Sequence, residues 1–205
     1  MFVMLERTGW KTEFLTDSPL SALYENSILE NYHIERTLYL LNHPHNNILK
    51  NLSDATHLIT QRILDTDLAL YFKEAPRIKK ASFSGQERLP ENKPLVMSAL
   101  MTAADLNMAS KPWEVYSQVS GLLAQEFWAQ GDMERDLGLV PEPLMDRELS
   151  HLFPNMQIDF LDKVCIPVME IVSRFHSGLS PLVNNAMQNK EKWVALACCS
   201  EAPEP

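Results

Sequence analysis

The chain has 205 residues, 45% hydrophobic and 22% charged, a balance typical of a globular domain with a buried core rather than of a disordered chain. Its formal net charge of −9 disfavours a nucleic-acid partner, because an acidic surface repels phosphates. No apolar run reaches the roughly 18 residues that a membrane span needs, and the low count of six glycines favours an all-α fold over one rich in β-turns.

The first predicted helix covers residues 27–41, where apolar side chains recur at helical spacing. Ser27 followed by Glu30 forms a capping-box pattern at its start. The second predicted helix covers residues 54–72 and has Ser53 as its N-cap. Residues 74–94 carry Pro76, Pro90 and Pro94 together with many charges, so they predict an exposed connection.

The second half of the chain predicts more helices, over residues 95–106, 112–131, 156–175 and 180–197. Residues 141–154 contain three prolines and predict a loop. The last residues, 198–205, predict a disordered tail. The fold class predicted from this order of elements is all-α.

One acidic side chain and one amide side chain are candidates for a functional role. Asp105 follows an apolar run, where a buried acid is costly unless it is paired or bound to a metal, so a salt-bridged acid and a metal ligand are both open. The amide of Gln157 offers two donors and one acceptor, which suit a purine edge. Phe160 lies one helical turn later and offers an aromatic platform, although an amphipathic helix start would give the same letters.

The cysteines and the N-terminus predict a compartment. Three cysteines, with Cys198 and Cys199 adjacent, do not make a disulfide framework and fit a reducing cytosol. The first ten residues lack a basic segment before an apolar run, so they predict no secretory signal. We therefore expect a cytoplasmic chain that associates with membranes only through partners.

Several short motifs follow one another along the chain: residues 65–72 (DTDLALYF), 101–106 (MTAADL), 110–115 (SKPWEV), 126–135 (EFWAQGDMER), 144–147 (LMDR) and 156–160 (MQIDF). They resemble ATDLALYF, MTACDL, TKPWEV, EFWEQGDLER, MMDR and LQVGF of the mammalian-type (class I) 3',5'-cyclic-nucleotide phosphodiesterases. Residues 173–176 (SRFH) and 192–193 (KW) also fit, and bring the resemblance nearest to the photoreceptor cGMP branch. The resemblance extends over about residues 18–197.

The resemblance implies an all-α, multi-helix catalytic domain of the HD-type superfamily that hydrolyses a cyclic phosphate in signal transduction, with Zn and Mg (or Mn) as cofactors. By position, Asp105 matches a zinc ligand, and the residues matching the surroundings of the second metal are Glu30, His33 and Thr66. Gln157 matches the glutamine that reads the purine. The remaining pocket positions are matched by Phe160 and Leu123, as the two faces of a clamp on the ring, and by Leu68 and Trp193, as walls.

The family's H-N-x-x-H and C-H-D-x-D-H-R-G motifs, which supply most zinc ligands and the general-acid histidine, do not occur in the sequence. Residues 10–17 resemble the run just before the second motif, whereas residues 18–20 resemble sequence well after it. We therefore expect an incomplete domain over residues 1–197, truncated at its N-terminus, with residues 1–17 as a remnant before an internal deletion. No catalytic residue is assigned.

Two functions stay open. The first is hydrolysis of a cyclic nucleotide, cGMP in preference to cAMP, although Tyr116 stands where the cGMP branch commonly has Gln and resembles the cAMP-specific branch. The second is a catalytically inactive chain that acts in dimerisation or partner binding, as a homodimer or a heterodimer. The missing metal motifs favour the second function for this polypeptide.

Overall fold

A computed structural model describes residues 19–83 and 89–200, and the chain divides into a first compact unit that ends at Thr102 and a second that begins at Ala103. All regular structure in these two ranges is helical, so the all-α prediction is confirmed. The predicted remnant at 1–17 and the last five residues of the predicted tail lie outside the described residues. No helix in the described ranges is long and apolar enough to cross a membrane.

The first unit contains four consecutive helices: α1 (Pro19–Leu23), α2 (Ile28–Asn42), α3 (Ala55–Leu64) and α4 (Leu68–Phe83). Helix α2 packs against α1 and α3 and buries Ile28 and Ile34, as the apolar spacing predicted. A 3-10 turn (Pro90–Asn92) then leads into α5 (Lys93–Asp105), which continues from the first unit into the second.

The single helix predicted over residues 54–72 is wrong, because the chain breaks between α3 and α4. Asp67 causes the break: its Oδ1 accepts the Ala69 N–H at 2.8 Å and so caps the start of α4. Its Oδ2 accepts a hydrogen bond from the Ser27 hydroxyl at 2.6 Å. The predicted capping box is wrong for the same reason, since Ser27 bonds Asp67 and makes no side-chain bond to α2.

The exposed connection predicted from residue 74 is also wrong up to residue 83, because α4 continues through Pro76. The proline removes one backbone donor from the helix. Burial offsets that loss, since Ile78 is fully buried and Ala81 is 4% exposed. Arg77 and Glu74 add a surface ion pair at 2.6 Å, one helical turn apart.

The second unit begins with a 3-10 turn (Leu106–Ser110) and the long helix α6 (Trp113–Asp136), which ends five residues beyond the predicted boundary. Two 3-10 turns (Pro143–Met145 and Arg147–Leu152) occupy most of the predicted loop. The later elements are α7 (Phe153–Phe160), a π-helical turn (Leu161–Cys165), α8 (Ile166–Phe175), a 3-10 turn (Ser177–Leu179) and α9 (Ser180–Ser200). Helix α9 packs against α7, α8 and the Leu106–Ser110 turn. It also includes residues 198–200, where the disordered tail was predicted to begin.

The uninterrupted helix predicted over residues 156–175 is replaced by α7, the π-helical turn and α8. Pro167 lacks an N–H and cannot donate to the carbonyl of Lys163, so one bond of a regular α-helical ladder is missing beside this turn. The wider turn places Leu161, Val164 and Cys165 in the core, each no more than 1% exposed. The predicted helix is therefore correct in extent and wrong in continuity.

The Pro143–Met145 turn packs closely on α6. A Cβ atom built on Gly131 would lie 1.9 Å from the carbonyl oxygen of Met145, so only glycine fits at this position. Arg135 pairs with Asp146 at 2.7 Å, and Arg147 pairs with Asp132 at 2.7 Å. These pairs hold the two turns against the C-terminal half of α6.

Candidate functional site

The residues assigned by resemblance are divided between the two units. The second unit holds Asp105, Leu123, Gln157, Phe160 and Trp193. The first unit holds Glu30, His33, Thr66 and Leu68.

Gln157 lies in α7 and is 9% exposed. The hydroxyl of Tyr116, on α6, donates to its Oε1 at 2.9 Å. The Nε2 group donates to no residue in the described ranges, and it is not sealed from solvent. The amide is therefore held by one strong contact and keeps its donors available for a ligand.

Tyr116 is 3% exposed, and burial is the main cause that raises the pKa of its phenol, with Cys165 as a further cause. The hydroxyl therefore stays protonated and remains a hydrogen-bond donor at neutral pH. Sequence reasoning noted Tyr116 only as a mark of the nucleotide branch and missed its contact with Gln157. The sequence signal available for this contact was the position of Tyr116, three residues after Trp113 in the first turn of a helix.

Trp193, on α9, is 5% exposed and lies at the centre of an aromatic cluster. Its ring packs edge to face with Trp113 at a centroid distance of 4.9 Å, Phe153 at 5.6 Å and Tyr116 at 6.2 Å. Its Nε1–H is buried and completes no hydrogen bond of good geometry. It lies near the Tyr116 hydroxyl and offsets part of the rise in the pKa of that phenol. Trp113 and Phe153 were not singled out from the sequence.

Phe160 lies one helical turn after Gln157 and is partly buried. It packs against the core cluster of the second unit, whose buried members are Ala109, Tyr116, Leu161, Cys165, Ile166, Met169, Ala186 and Trp193. Burial raises the pKa of the Cys165 thiol, so this cysteine is an inert core residue. Gln157, Phe160 and Trp193 thus lie in or beside one core cluster, and their roles at a nucleotide stay predictions.

Leu123 and Asp105 lie outside that cluster. Leu123, on α6, is 44% exposed, and no contact brings it into the cluster that Phe160 joins. Asp105, the last residue of α5, is exposed and forms no ion pair with any residue in the described ranges. Neighbouring protein atoms still displace enough water to raise the pKa of its carboxyl. The assignment of both residues to the pocket stays a prediction.

The four first-unit residues lie on or between α2 and α4. Glu30 is in the first turn of α2, and His33 is exposed one turn later. The Thr66 hydroxyl donates to the Ile63 carbonyl at 2.7 Å, within the break between α3 and α4. Leu68 is the first residue of α4. Their roles at a metal or a pocket also stay predictions.

No group of three or more His, Cys, Asp or Glu side chains in the described ranges is placed to hold a metal ion. A zinc site in a protein takes about four ligands, and of the expected zinc ligands the chain has only Asp105. The described residues therefore do not fit the two-metal centre that the resemblance implies.

Three comparisons place these observations among known proteins. Residues 5–186 match the family described as 3'5'-cyclic nucleotide phosphodiesterase. The cone cGMP-specific 3',5'-cyclic phosphodiesterase subunit alpha' of Bos taurus is 39% identical over 198 residues, which cover 88% of this chain and 23% of that protein. The rod cGMP-specific 3',5'-cyclic phosphodiesterase subunit alpha of Homo sapiens is 38% identical over 200 residues, which cover 89% of this chain and 23% of that protein.

A relative of broader stated specificity is the dual 3',5'-cyclic-AMP and -GMP phosphodiesterase 11 of Drosophila melanogaster, 37% identical over 94% of this chain and 14% of its own length. Among solved structures, LmjPDEB1 in complex with IBMX superposes with a TM-score of 0.82 at 26% identity. That match covers 93% of this chain and 60% of the solved one. The chain thus spans less than a quarter of the length of these curated relatives.

Proposed function

Because this chain belongs to the 3'5'-cyclic nucleotide phosphodiesterase family, we propose that it binds the purine base of a cyclic nucleotide through Gln157. Phe160 supplies the aromatic face of the site, and Trp193 supports it from the core. Leu123 completes the pocket in this proposal, with Asp105 toward the phosphate. In the intact family the reaction opens the 3',5'-cyclic phosphate.

The single observation that carries the proposal is the hydrogen bond from Tyr116 to Gln157. A buried glutamine costs free energy unless its polar atoms are satisfied. Here one partner fixes the amide while its donors stay available, an arrangement suited to a ligand edge that carries acceptors.

We propose cGMP as the preferred nucleotide, supported by the cGMP-specific activities in the names of the cone and rod relatives. Tyr116 does not oppose this preference. A tyrosine hydroxyl can either donate or accept, so it supports both orientations of the Gln157 amide. A guanine and an adenine edge need opposite orientations, and we therefore expect a modest preference rather than exclusion of cAMP.

Replacing Gln157 with methionine is expected to weaken cGMP binding about 10- to 30-fold. The change keeps the side-chain volume but removes two hydrogen bonds to the base, each contributing about 1 kcal/mol. Isothermal titration with cGMP and cAMP on the unmodified chain and the variant measures this. Gln118→Met, the same change at an exposed site on α6, is the control and should bind as the unmodified chain does. Equal affinities for the Gln157 and Gln118 variants would contradict the assignment.

A second function, binding without turnover, is favoured by the missing ligand set. Within the described ranges Asp105 is the one expected zinc ligand, and no cluster of donors replaces the others. We assign no hydrolytic step to this polypeptide alone and propose that it acts by binding nucleotide or by pairing with a second chain, as a homodimer or heterodimer. Turnover of cGMP by the purified chain with added zinc and magnesium would contradict this second function.

Metal content gives a direct prediction. After dialysis against a mild chelator, we expect the purified chain to retain far less than one equivalent of zinc, because one carboxylate cannot replace a set of about four ligands. Elemental analysis measures the zinc, and Asp105→Asn should leave the value unchanged. A tightly held equivalent would show this expectation to be wrong and would require another ligand set, for which His33→Ala is the first variant to test.

A further inference from the structure

The second unit contains a surface pocket of about 280 Å³ between the start of α6 and helix α9. Lys111, Pro112 and Trp113 line one side, and α9 contributes the other. The lining includes none of the residues proposed to hold the purine. The pocket is therefore a separate feature of this unit, just below the size range of small-molecule sites, roughly 300–1,000 Å³.

The charged groups of the pocket are both positive. Lys111 and Lys192 line it, and no acidic residue does. Neither ammonium group forms an ion pair with a carboxylate in the described ranges. On a chain with a net charge of −9, two unpaired ammonium groups at one concavity make a local site for an anion.

The walls of the pocket are fixed by two amides, of which Asn189 is buried and Asn185 is exposed. Asn189 is 3% exposed, and its Nδ2 donates to the carbonyl oxygens of Ala109 at 2.9 Å and Lys111 at 2.8 Å. Asn185 donates to the Ser110 carbonyl at 3.1 Å. These bonds join α9 to the chain just before α6, so the backbone of Lys111 is held in place before any ligand arrives. Such preorganisation lowers the entropic cost of binding.

The apolar part of the pocket is also rigid. Trp113 lines it and packs edge to face on buried Trp193 at 4.9 Å, so its indole cannot easily turn away. Gln188 adds an amide that bonds no other residue in the described ranges. A flat or aliphatic body can lie on the indole while the amide bonds a polar substituent.

From this arrangement we propose that the pocket binds a small organic anion. Its carboxylate or phosphate group lies between Lys111 and Lys192, and its apolar body lies against Trp113. The first turn of α6 also borders the pocket, and Glu114 in that turn offsets part of the positive end of the helix, so the two lysines supply the field that attracts the anion. The site needs neither a metal ion nor the purine pocket.

Phenyl phosphate is the probe, with inorganic phosphate and phenol as its separate halves. We expect saturable binding of phenyl phosphate by isothermal titration, tighter than that of either half. Lys111→Gln with Lys192→Gln should raise its Kd about 100-fold, because each lost charge-assisted hydrogen bond costs about tenfold. The matched control is Lys163→Gln with Lys190→Gln, which removes the same charge from two lysines paired with Asp159 and Asp162.

The two double variants decide the result. Weakening confined to the Lys111 and Lys192 pair, with cGMP affinity unchanged, supports the proposal and separates it from the purine site. Equal weakening in both pairs would overturn it, since net charge alone would then explain binding. Equal affinity for inorganic phosphate and phenyl phosphate would overturn the role of Trp113, and unsaturable binding would overturn the site itself.

Discussion

Replacing Trp193 with alanine should lower the free energy of unfolding of the second unit by about 3–5 kcal/mol, the usual cost of removing a buried tryptophan. The indole is 5% exposed and packs against three aromatic rings that belong to α6 and α7. Its removal leaves a cavity that these rings cannot close without moving α9. Urea denaturation followed by far-UV circular dichroism measures the loss.

Two control variants separate burial from other effects of changing α9. Val194→Ala alters the next residue of the same helix, which is 41% exposed, and should change stability by no more than about 0.5 kcal/mol. Trp193→Phe should cost about 1–2 kcal/mol, because the smaller ring loses volume but also removes the unsatisfied indole N–H. A loss below 1 kcal/mol for Trp193→Ala would contradict the central position of this side chain.

Replacing Gly131 with alanine should destabilise the second unit by about 2–4 kcal/mol, despite the higher helix propensity of alanine. The new methyl group would lie 1.9 Å from the Met145 carbonyl oxygen. That oxygen belongs to the Pro143–Met145 turn, which is anchored by the buried side chain of Met145, 1% exposed. The whole turn must therefore move to make room for the methyl group. Thermal unfolding should show a fall of the melting temperature of roughly 4–16 °C, at about 2–4 °C per kcal/mol.

Gly121 offers the matched control, since it lies in the same helix and a Cβ atom there would meet nothing within 4 Å. Gly121→Ala should therefore raise stability by up to about 1 kcal/mol through helix propensity and a smaller unfolded-state entropy. Opposite signs for the two substitutions would confirm the close approach at Met145. The same sign for both would mean that the Pro143–Met145 turn is not packed on α6 as described.

The helices with clear apolar periodicity could be predicted, and the breaks between them could not. Helix α2 begins and ends within one residue of its predicted bounds, because apolar residues recur along it at intervals close to the helical repeat. The break before α4 was missed because Leu64 and Leu68 keep helical spacing across it. Asp67 breaks the helix there by capping Ala69, and it is held in place by its bond to Ser27, 40 positions away in sequence. Local patterns do not contain such a partner.

The candidate site shows the same division. Gln157 and Phe160 could be proposed from their residue types and their spacing of one helical turn. The partner of Gln157 could not, because Tyr116 lies 41 residues away on another helix. Trp193 entered only through family resemblance, and its three aromatic neighbours depend on the packing of α9 against α6 and α7.

The π-helical turn at Leu161–Cys165 sets the rotational phase between α7 and α8. Its exposed residues, Asp162 and Lys163, bond Lys190 at 2.6 Å and Asp159 at 2.7 Å, so neither fills the core. If these five residues took up regular α-helical geometry with none removed, α7 would turn by roughly 100° relative to α8, because a π-helical turn holds one residue more than an α-helical turn. Gln157 would then swing away from Tyr116. The extra residue of the π-helical turn is therefore what keeps the Gln157 face of α7 turned toward Tyr116 on α6.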